Sequence, residues 1–244
     1  MRLVTVCVSL LGLLGANASL GSEACEATLP DASVYVGTCL DGLFHGSGTL
    51  TWRDGSEYVG EFARGMLHGQ GVYKDGSGWM MRGNYVDGTL TGKGFFESKR
   101  GEVYEGDFVE DQFHGFGKYT ERNGDVCEGE YRDGYLHGKA TCTSVSGMRV
   151  TADYVDGLLH GHGTTILPNG DQYSGSFMDG YWEGYGVYEY VNGDRYSGQF
   201  SQGQFHGCGQ MYLRDSDETV AGLWEWGVFQ EDNETDCRNS HFDV

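Results

Sequence analysis

Apolar and aromatic residues recur in this chain with a period of 23 residues, and inside each period they alternate with polar residues in two short runs. In the second copy the first run is Tyr58-Val59-Gly60-Glu61-Phe62, and the second run begins at Gly69. A glycine-containing turn separates the two runs. Because alternation with period two is typical of strands, each period predicts one β-hairpin.

The repeat runs through eight copies without an insertion or deletion. Position 1 denotes the first residue of each unit, and position 12 is always glycine. The units begin at Tyr35, Tyr58, Met81, Tyr104, Cys127, Val150, Tyr173 and Tyr196, and the glycines are Gly46, Gly69, Gly92, Gly115, Gly138, Gly161, Gly184 and Gly207. Self-similarity at a fixed period is typical of repeat proteins, in which each unit contacts its neighbours.

The connections between the predicted strands are short. Between units lie Asp-Gly and Asn-Gly turns such as Asp54-Gly55 and Asn169-Gly170, the chemistry that hairpins need where φ is positive. Consecutive strands are therefore expected to be antiparallel neighbours. The sequence predicts an all-β fold: an elongated single-layer antiparallel sheet of about eight 23-residue hairpin repeats.

A register that pairs position 1 with position 16, and position 5 with position 12, places positions 1, 3, 5, 12, 14 and 16 on one face. These positions hold mainly aromatic residues and glycine. The missing side chains at the glycines let large rings lie flat on the backbone beside them. The opposite face holds residues such as Glu105 and Asp153 and is expected to face water.

The segments outside the array are short. Met1-Arg2, an apolar run and the small residues before Ser19 predict a secretory signal peptide over residues 1–18, and the run is too short to span a bilayer. Residues 19–34 are expected to form an N-terminal cap or linker, 35–227 the array and 228–244 an acidic polar tail. The protein is therefore expected to be secreted, with Asn233 in an Asn-Glu-Thr glycosylation motif.

Six cysteines remain after the predicted signal peptide leaves with Cys7. An even number in an oxidising compartment favours three disulfides, and buried free thiols are the alternative. Cys127 at position 1 and Cys142 at position 16 of one unit face each other in the predicted register, at a separation that a disulfide accepts. Proximity in sequence pairs the others. The predicted pairs are Cys25–Cys39, Cys127–Cys142 and Cys208–Cys237.

The segment Tyr-Val-Gly-Glu-Phe-Ala-Arg-Gly-Met-Leu-His-Gly-Gln-Gly, residues 58–71, resembles a MORN repeat, the membrane occupation and recognition nexus motif. The resemblance extends over residues 35–227. It implies an extended array of β-hairpins that binds proteins or lipids, acts as a scaffold, or accompanies a separate catalytic domain. Several residues depart from the pattern: Met81, Asp111, Cys127, Ala140, Val150 and Ala152.

The sequence contains few candidates for metal-binding or catalytic residues. Histidine occupies position 11 in six units, but equivalent positions in successive units lie two strands apart, about 9 to 10 Å, which is too far to share one metal ion. These histidines are expected to bond local backbone groups at turns. Acidic residues at position 7 suit calcium, or a charged edge that prevents self-association. We predict no catalytic residue, no metal site and no cofactor.

The net charge of −20 at pH 7 repels nucleic acids and disfavours anionic membranes. The favoured function is a secreted, non-enzymatic scaffold that binds a protein or peptide along its aromatic face, an exposed apolar patch of the kind that marks binding sites. For each ring, packing within the protein is the alternative. The predicted contacts, the aromatic strip, are Tyr58, Phe62, Tyr73, Tyr104, Phe108, Tyr119, Tyr131, Tyr173, Phe177, Tyr188, Tyr196 and Phe200.

Two alternative functions stay open at this point. One is a membrane-associated or phospholipid-associated module, and the other is an accessory subunit of a lipid kinase or methyltransferase encoded elsewhere. Homodimerisation through the aromatic strip also stays open.

Overall fold

The structure is a computed structural model that describes residues 21–230 and Cys237. Within these residues the fold is all-β: 19 strands form an open antiparallel sheet of successive hairpins, as the alternating pattern predicts. The predicted signal peptide (1–18) and Asn233 lie outside the described residues.

The chain divides into two compact units, one comprising residues up to Arg122 plus Arg132–Gly134 and the other Asn123–Tyr131 plus residues from Tyr135 onward. The strands of the first unit are β1 (Glu23–Thr28), β2 (Val34–Leu40), β3 (Leu43–Thr51), β4 (Glu57–Ala63), β5 (Met66–Lys74), β6 (Met80–Val86), β7 (Thr89–Glu97), β8 (Val103–Val109) and β9 (Gln112–Thr120). Those of the second are β10 (Val126–Arg132), β11 (Tyr135–Thr143), β12 (Arg149–Val155), β13 (Leu158–Ile166), β14 (Gln172–Met178), β15 (Tyr181–Glu189), β16 (Arg195–Ser201), β17 (Gln204–Leu213), β18 (Glu218–Glu225) and β19 (Val228–Phe229).

Two residues turn the chain inside each repeat. Arg64 and Gly65 connect β4 to β5, and their φ angles are 51° and 82°. Positive φ at both central residues is the requirement of a type I′ turn, whose twist matches that of the strands. The equivalent position 7 is aspartate in five units, and aspartate tolerates this backbone region better than most residues do.

The connection between repeats is a slightly longer turn. In the first example, the Gly55 amide donates to the Trp52 carbonyl at 3.0 Å, and Gly55 has a φ of 87°. The Asp54 carboxylate accepts a hydrogen bond from the Ser56 amide at 3.0 Å. The Asp-Gly and Asn-Gly sequences between units are thus explained by one glycine with positive φ and one side chain that closes the turn.

The predicted register is right at position 1 and wrong at position 5. Tyr58 faces Tyr73, as expected, but Phe62 faces Leu67 at position 10 instead of Gly69 at position 12. The reason is a β-bulge after Gly60, where Gly69 has a φ of 56° and adds residues to one strand only. Position 12 instead faces position 5 of the following repeat.

The position-1 tyrosine lies over the two glycines at positions 3 and 14. A Cβ atom added to Gly60 would be 2.6 Å from the phenol oxygen of Tyr58, and one added to Gly71 would overlap both that oxygen and the ring. The same phenol donates to the carbonyl oxygens of Glu61 and His68 at 3.1 and 3.2 Å. These carbonyls flank the bulge, so the hydroxyl satisfies backbone groups there.

A second tier of side chains covers the tyrosines. The residue at position 10 stacks on the ring at position 1: Phe44 on Tyr35 at 3.8 Å between centroids, and Phe113 on Tyr104 at 3.9 Å. A single sheet therefore buries aromatic rings without a facing second sheet, because each ring is held between backbone below and another side chain above.

The departures from the repeat pattern support this account. Alanine replaces glycine at Ala140 (position 14) and at Ala152 (position 3), and those two units begin with Cys127 and Val150 instead of tyrosine. Both alanines are buried. A methyl group is thus accommodated in two of the three units where no tyrosine ring needs the space; the third, which begins with Met81, keeps both glycines.

All three predicted disulfides are confirmed. Their Cα–Cα separations are 5.8 Å, 4.0 Å and 5.4 Å, for Cys25–Cys39, Cys127–Cys142 and Cys208–Cys237 respectively. The central disulfide replaces a cross-strand aromatic pair such as Tyr58 and Tyr73 with a covalent bond.

The ring-on-glycine contact predicts strong coupling between two positions. Gly117→Ala is expected to lower the free energy of unfolding by about 2 kcal/mol or more, because the added methyl would overlap the ring of Tyr104. In a Tyr104→Val background, which, like the unit of Cys127 and Ala140, has no tyrosine ring over position 14, the same change is expected to cost less than about 1 kcal/mol. Urea denaturation of the four proteins measures the coupling. Equal costs in both backgrounds would refute this explanation of the glycines.

The next repeat shows which residues can replace the Cys127–Cys142 disulfide. The double variant Cys127→Val and Cys142→Thr copies Val150 and Thr165, which face each other in that repeat. We expect a loss of about 3 kcal/mol, since closing a loop of this length restricts the unfolded chain by that amount. Urea denaturation under oxidising conditions measures the loss. A variant as stable as the oxidised wild type would contradict it.

Candidate protein-binding surface

Most of the predicted aromatic strip is core. Ten of its twelve rings are buried, with exposed fractions of 7% or less, and this corrects the expectation of an exposed strip. The ten are Tyr58, Phe62, Tyr73, Tyr104, Phe108, Tyr131, Tyr173, Phe177, Tyr196 and Phe200. Tyr119 and Tyr188, both at position 16, remain partly exposed.

The residues that cover these rings were missed in the sequence. Position 10 is apolar in all eight units. Because of the bulge, it lies on the sheet face that holds the position-1 tyrosines, which we call the tyrosine face. This constancy was the signal that could have identified it. The residues are Phe44, Leu67, Leu90, Phe113, Leu136, Leu159, Trp182 and Phe205.

In the second unit, members of this tier and nearby side chains at position 16 remain partly exposed. We call the partly exposed side chains Leu159, Trp182, Tyr188, Phe205 and Met211 the upper-tier patch, and all five pack against the buried core beneath. The centroid of Tyr188 lies 5.7 Å from that of Trp182 and 6.0 Å from that of Phe205. Such contacts between rings favour a fixed apolar surface.

The rings of the patch are held from below. Trp182 stacks on Tyr173 at 4.3 Å with an interplanar angle of 11°, and Phe205 stacks on Tyr196 at 3.9 Å. The buried tyrosines therefore fix the orientation of the Trp182 and Phe205 rings. Rigid aromatic side chains lose little conformational entropy when a partner binds.

Tyr188 is also anchored by a buried carboxylate. Its hydroxyl donates to Asp171 Oδ2 at 2.7 Å, and Asp171 is 5% exposed. The amide of Val191 donates to the other carboxylate oxygen at 2.9 Å. The hydrogen bond from Tyr188 lowers the pKa of Asp171, and burial raises the pKa of Tyr188.

The first unit has a comparable series of rings on its tyrosine face. Phe113 lies 5.5 Å from Phe96 and 6.2 Å from Tyr119, and Trp79 lies 6.2 Å from Phe96. All four are partly exposed. Each unit therefore presents aromatic side chains above a buried tier.

Two of the histidines at position 11 contact the turn of the following repeat. His137 Nδ1 lies 3.5 Å from Asp156 Oδ1, and His114 Nδ1 lies 3.9 Å from Asp133 Oδ1. The expectation of bonding to local backbone is thus replaced, in these two cases, by a contact with a position-7 carboxylate. Among residues 21–230 and Cys237, no group of three or more His, Cys, Asp or Glu is arranged to hold a metal ion.

The repeat pattern matches a known family. The MORN repeat model matches seven segments that together cover more than half of the chain: 35–57, 58–80, 104–126, 127–149, 152–172, 173–195 and 196–218. The chain belongs to the MORN repeat family. The unit at 81–103 is not among the matches, although β6 and β7 form a hairpin there; it has Met81 and Thr91 where the pattern has tyrosine and histidine.

Solved structures similar to this MORN repeat protein have very different sequences. The TCP10 domain of Danio rerio CPAP is 10% identical, with a TM-score of 0.46, and the match covers 82% of this chain and 94% of that chain. The TCP domain of Drosophila melanogaster SAS-4, solved with a proline-rich motif of Ana2, is 12% identical over 88% of this chain and 99% of that chain, with a TM-score of 0.38. These values support no inference about function. No curated protein sequence matches the chain.

No helix within the described part of this MORN repeat protein has the length and apolar character needed to cross a bilayer.

The buried tyrosines are expected to make the folded protein less stable at alkaline pH. Burial raises the pKa of Tyr58, Tyr104, Tyr173 and Tyr196 above the ordinary 10.0, and raises that of Tyr154 to about 12. The unfolded chain releases these protons near pH 10 while the folded protein retains them. Their contribution to stability is therefore complete below pH 10 and is lost as pH rises above it.

In a titration above pH 10, we expect tyrosinate absorbance to increase and the far-ultraviolet circular dichroism signal of the sheet to decrease over the same pH range. The same titration in concentrated denaturant, where every tyrosine is solvated, serves as the control. Ionisation of all tyrosines with the sheet intact would contradict the prediction.

Proposed function

We propose that this protein is a secreted, non-enzymatic scaffold that binds a protein or peptide partner through the tyrosine face of its MORN repeats. The single observation that carries the proposal is the upper-tier patch: partly exposed apolar side chains over the core, in which Tyr188 contacts Trp182 and Phe205. Those two rings stack on buried tyrosines. Aromatic anchors of this kind dominate the binding energy of protein interfaces.

The spacing of the patch suits a regular partner. Leu159, Trp182 and Phe205 occupy the same position in consecutive repeats, two strands apart, which is about 9.6 Å. Residues seven apart in a helix are separated by about 10.5 Å along its axis. A partner segment that presents apolar side chains at such intervals would contact successive repeats in register.

The compartment is part of the proposal. Three disulfides are compatible with an extracellular protein, and the signal-like N-terminal sequence supports secretion. Membrane association is the second candidate, and the net charge of −20 disfavours it for anionic lipids.

The experiment is site-specific photo-crosslinking in cells that produce the protein. A photoreactive residue replaces Trp182 in one variant and Val59 in the matched control; Val59 is 48% exposed on the opposite sheet face of the first unit. We expect a defined partner adduct at 182 and its absence at 59. Equal adducts at both sites, or none at 182, would contradict the proposed surface.

A second measurement separates loss of binding from loss of folding. The double variant Trp182→Ser and Phe205→Ser is expected to weaken capture of the crosslinked partner by at least about tenfold, as removal of two aromatic anchors implies. Circular dichroism verifies that the sheet remains. Vesicle flotation, with and without calcium, tests the lipid alternative. A wild-type protein that floats with the vesicles would favour that alternative.

A further inference from the structure

The sheet face opposite the tyrosines is not uniformly polar. In the second unit it carries a row of large apolar side chains near the type I′ turns. This corrects the expectation of a polar surface there, although the side chains do face water. We call them the outer apolar row: Tyr135 (61% exposed), Val155 (43%), Leu158 (52%), Met178 (50%) and Tyr181 (57%).

The row has one member on each of five consecutive strands, β11 to β15. Val155 faces Leu158, and Met178 faces Tyr181, as cross-strand pairs. A Cβ atom added to Gly157 would lie 3.7 Å from the Tyr135 ring, which brings that ring beside the next turn. Four steps of about 4.8 Å give a row about 19 Å long and one side chain wide.

The residues at the same two positions are polar in the adjacent repeat. Ser201 and Gln204 occupy them there, so the apolar row ends within the array. The same two positions also hold apolar residues in the first unit: Leu40, Leu43, Ala63, Met66, Val86 and Val109. The row of the second unit differs in its two large exposed rings, Tyr135 and Tyr181, which give a short partner segment an apolar surface to contact.

Acidic groups border the row. Asp156 and Asp179 lie in the exposed turns next to it, with φ angles of 49° and 51°. Asp156 lies 3.5 Å from the imidazole of His137. Glu183 lies on β15, two residues after Tyr181. The charge at these turns therefore has the same sign as the net charge of the protein, whereas Arg132, at the position equivalent to Val155 in the preceding repeat, is a cation.

We propose that the outer apolar row docks a basic amphipathic helix of a partner protein. A helix of about 13 residues is about 19 Å long, the length of the row. One apolar stripe of that helix covers the row, and lysine or arginine beside the stripe faces the aspartates. A second copy of this chain is disfavoured as the occupant, because it would bring the same acidic border against itself.

The direct test uses a designed peptide as the probe. The peptide has about 14 residues, with leucine on one helical face and lysine on the other, and a matched peptide carries glutamate in place of lysine. Fluorescence anisotropy against the full protein measures binding. We expect the lysine peptide to bind and the glutamate peptide to bind at least about tenfold more weakly.

Variants separate the row from general attraction to an acidic protein. Leu158→Ser with Tyr181→Ser is expected to weaken binding of the lysine peptide by about tenfold or more, since two exposed apolar contacts are lost. The control, Val36→Ser with Val59→Ser, removes side chains of similar exposure (53% and 48%) from the first unit and is expected to change nothing.

The charged border is tested with Asp156→Asn and Asp179→Asn, because asparagine also tolerates positive φ. Binding is expected to weaken several-fold at low salt, and the difference from wild type to disappear near about 1 M salt.

Three results would overturn the proposal. One is an equal affinity of the lysine peptide for the row variant and the control, and another is equal binding of the glutamate peptide. The third is a concentration-dependent dimer of the wild type that Leu158→Ser with Tyr181→Ser abolishes, which would identify a second copy as the occupant.

Discussion

The contact of a tyrosine ring with two glycines is the constraint on which the repeat depends. Tyr58 lies over Gly60 and Gly71 so closely that neither could carry a side chain, and its hydroxyl satisfies carbonyl groups beside the bulge. One residue thus supplies burial, packing and hydrogen bonding. The units without this tyrosine support the same account, since Ala140 and Ala152 occur only there.

This constraint determines which side chains a partner can reach. Because the tyrosines and the position-5 rings pack against the backbone, the side chains that stay accessible on this face are those at positions 10 and 16 that are not themselves buried, as Phe44 and Leu90 are. Trp182 and Phe205 stack on buried tyrosines, so their orientation is set before any partner binds. A single-layer sheet thereby obtains both a core and a preorganised aromatic surface from the same face.

The two faces of the second unit differ in chemistry. The upper-tier patch is aromatic and rigidly supported, whereas the outer apolar row is narrow, highly exposed and bordered by Asp156 and Asp179. Two surfaces of different character on opposite faces suit a protein that holds two partners together, the role expected of a scaffold. The disulfides, including Cys127–Cys142, strengthen the sheet locally without occupying either surface.

The sequence alone determined the repeat length, the hairpins, the antiparallel order, the disulfide pairing and the glycine positions. These features depend on local rules: period-two alternation, the φ preferences of glycine and aspartate, and cysteines at facing positions. Only the tertiary structure decided the register after the bulge and the exposure of each ring. The bulge at Gly69 adds residues to one strand, which moves Leu67 opposite Phe62, and that choice depends on hydrogen bonding between strands. Whether an aromatic ring is core or surface depends on what stacks above it, which composition and spacing do not specify.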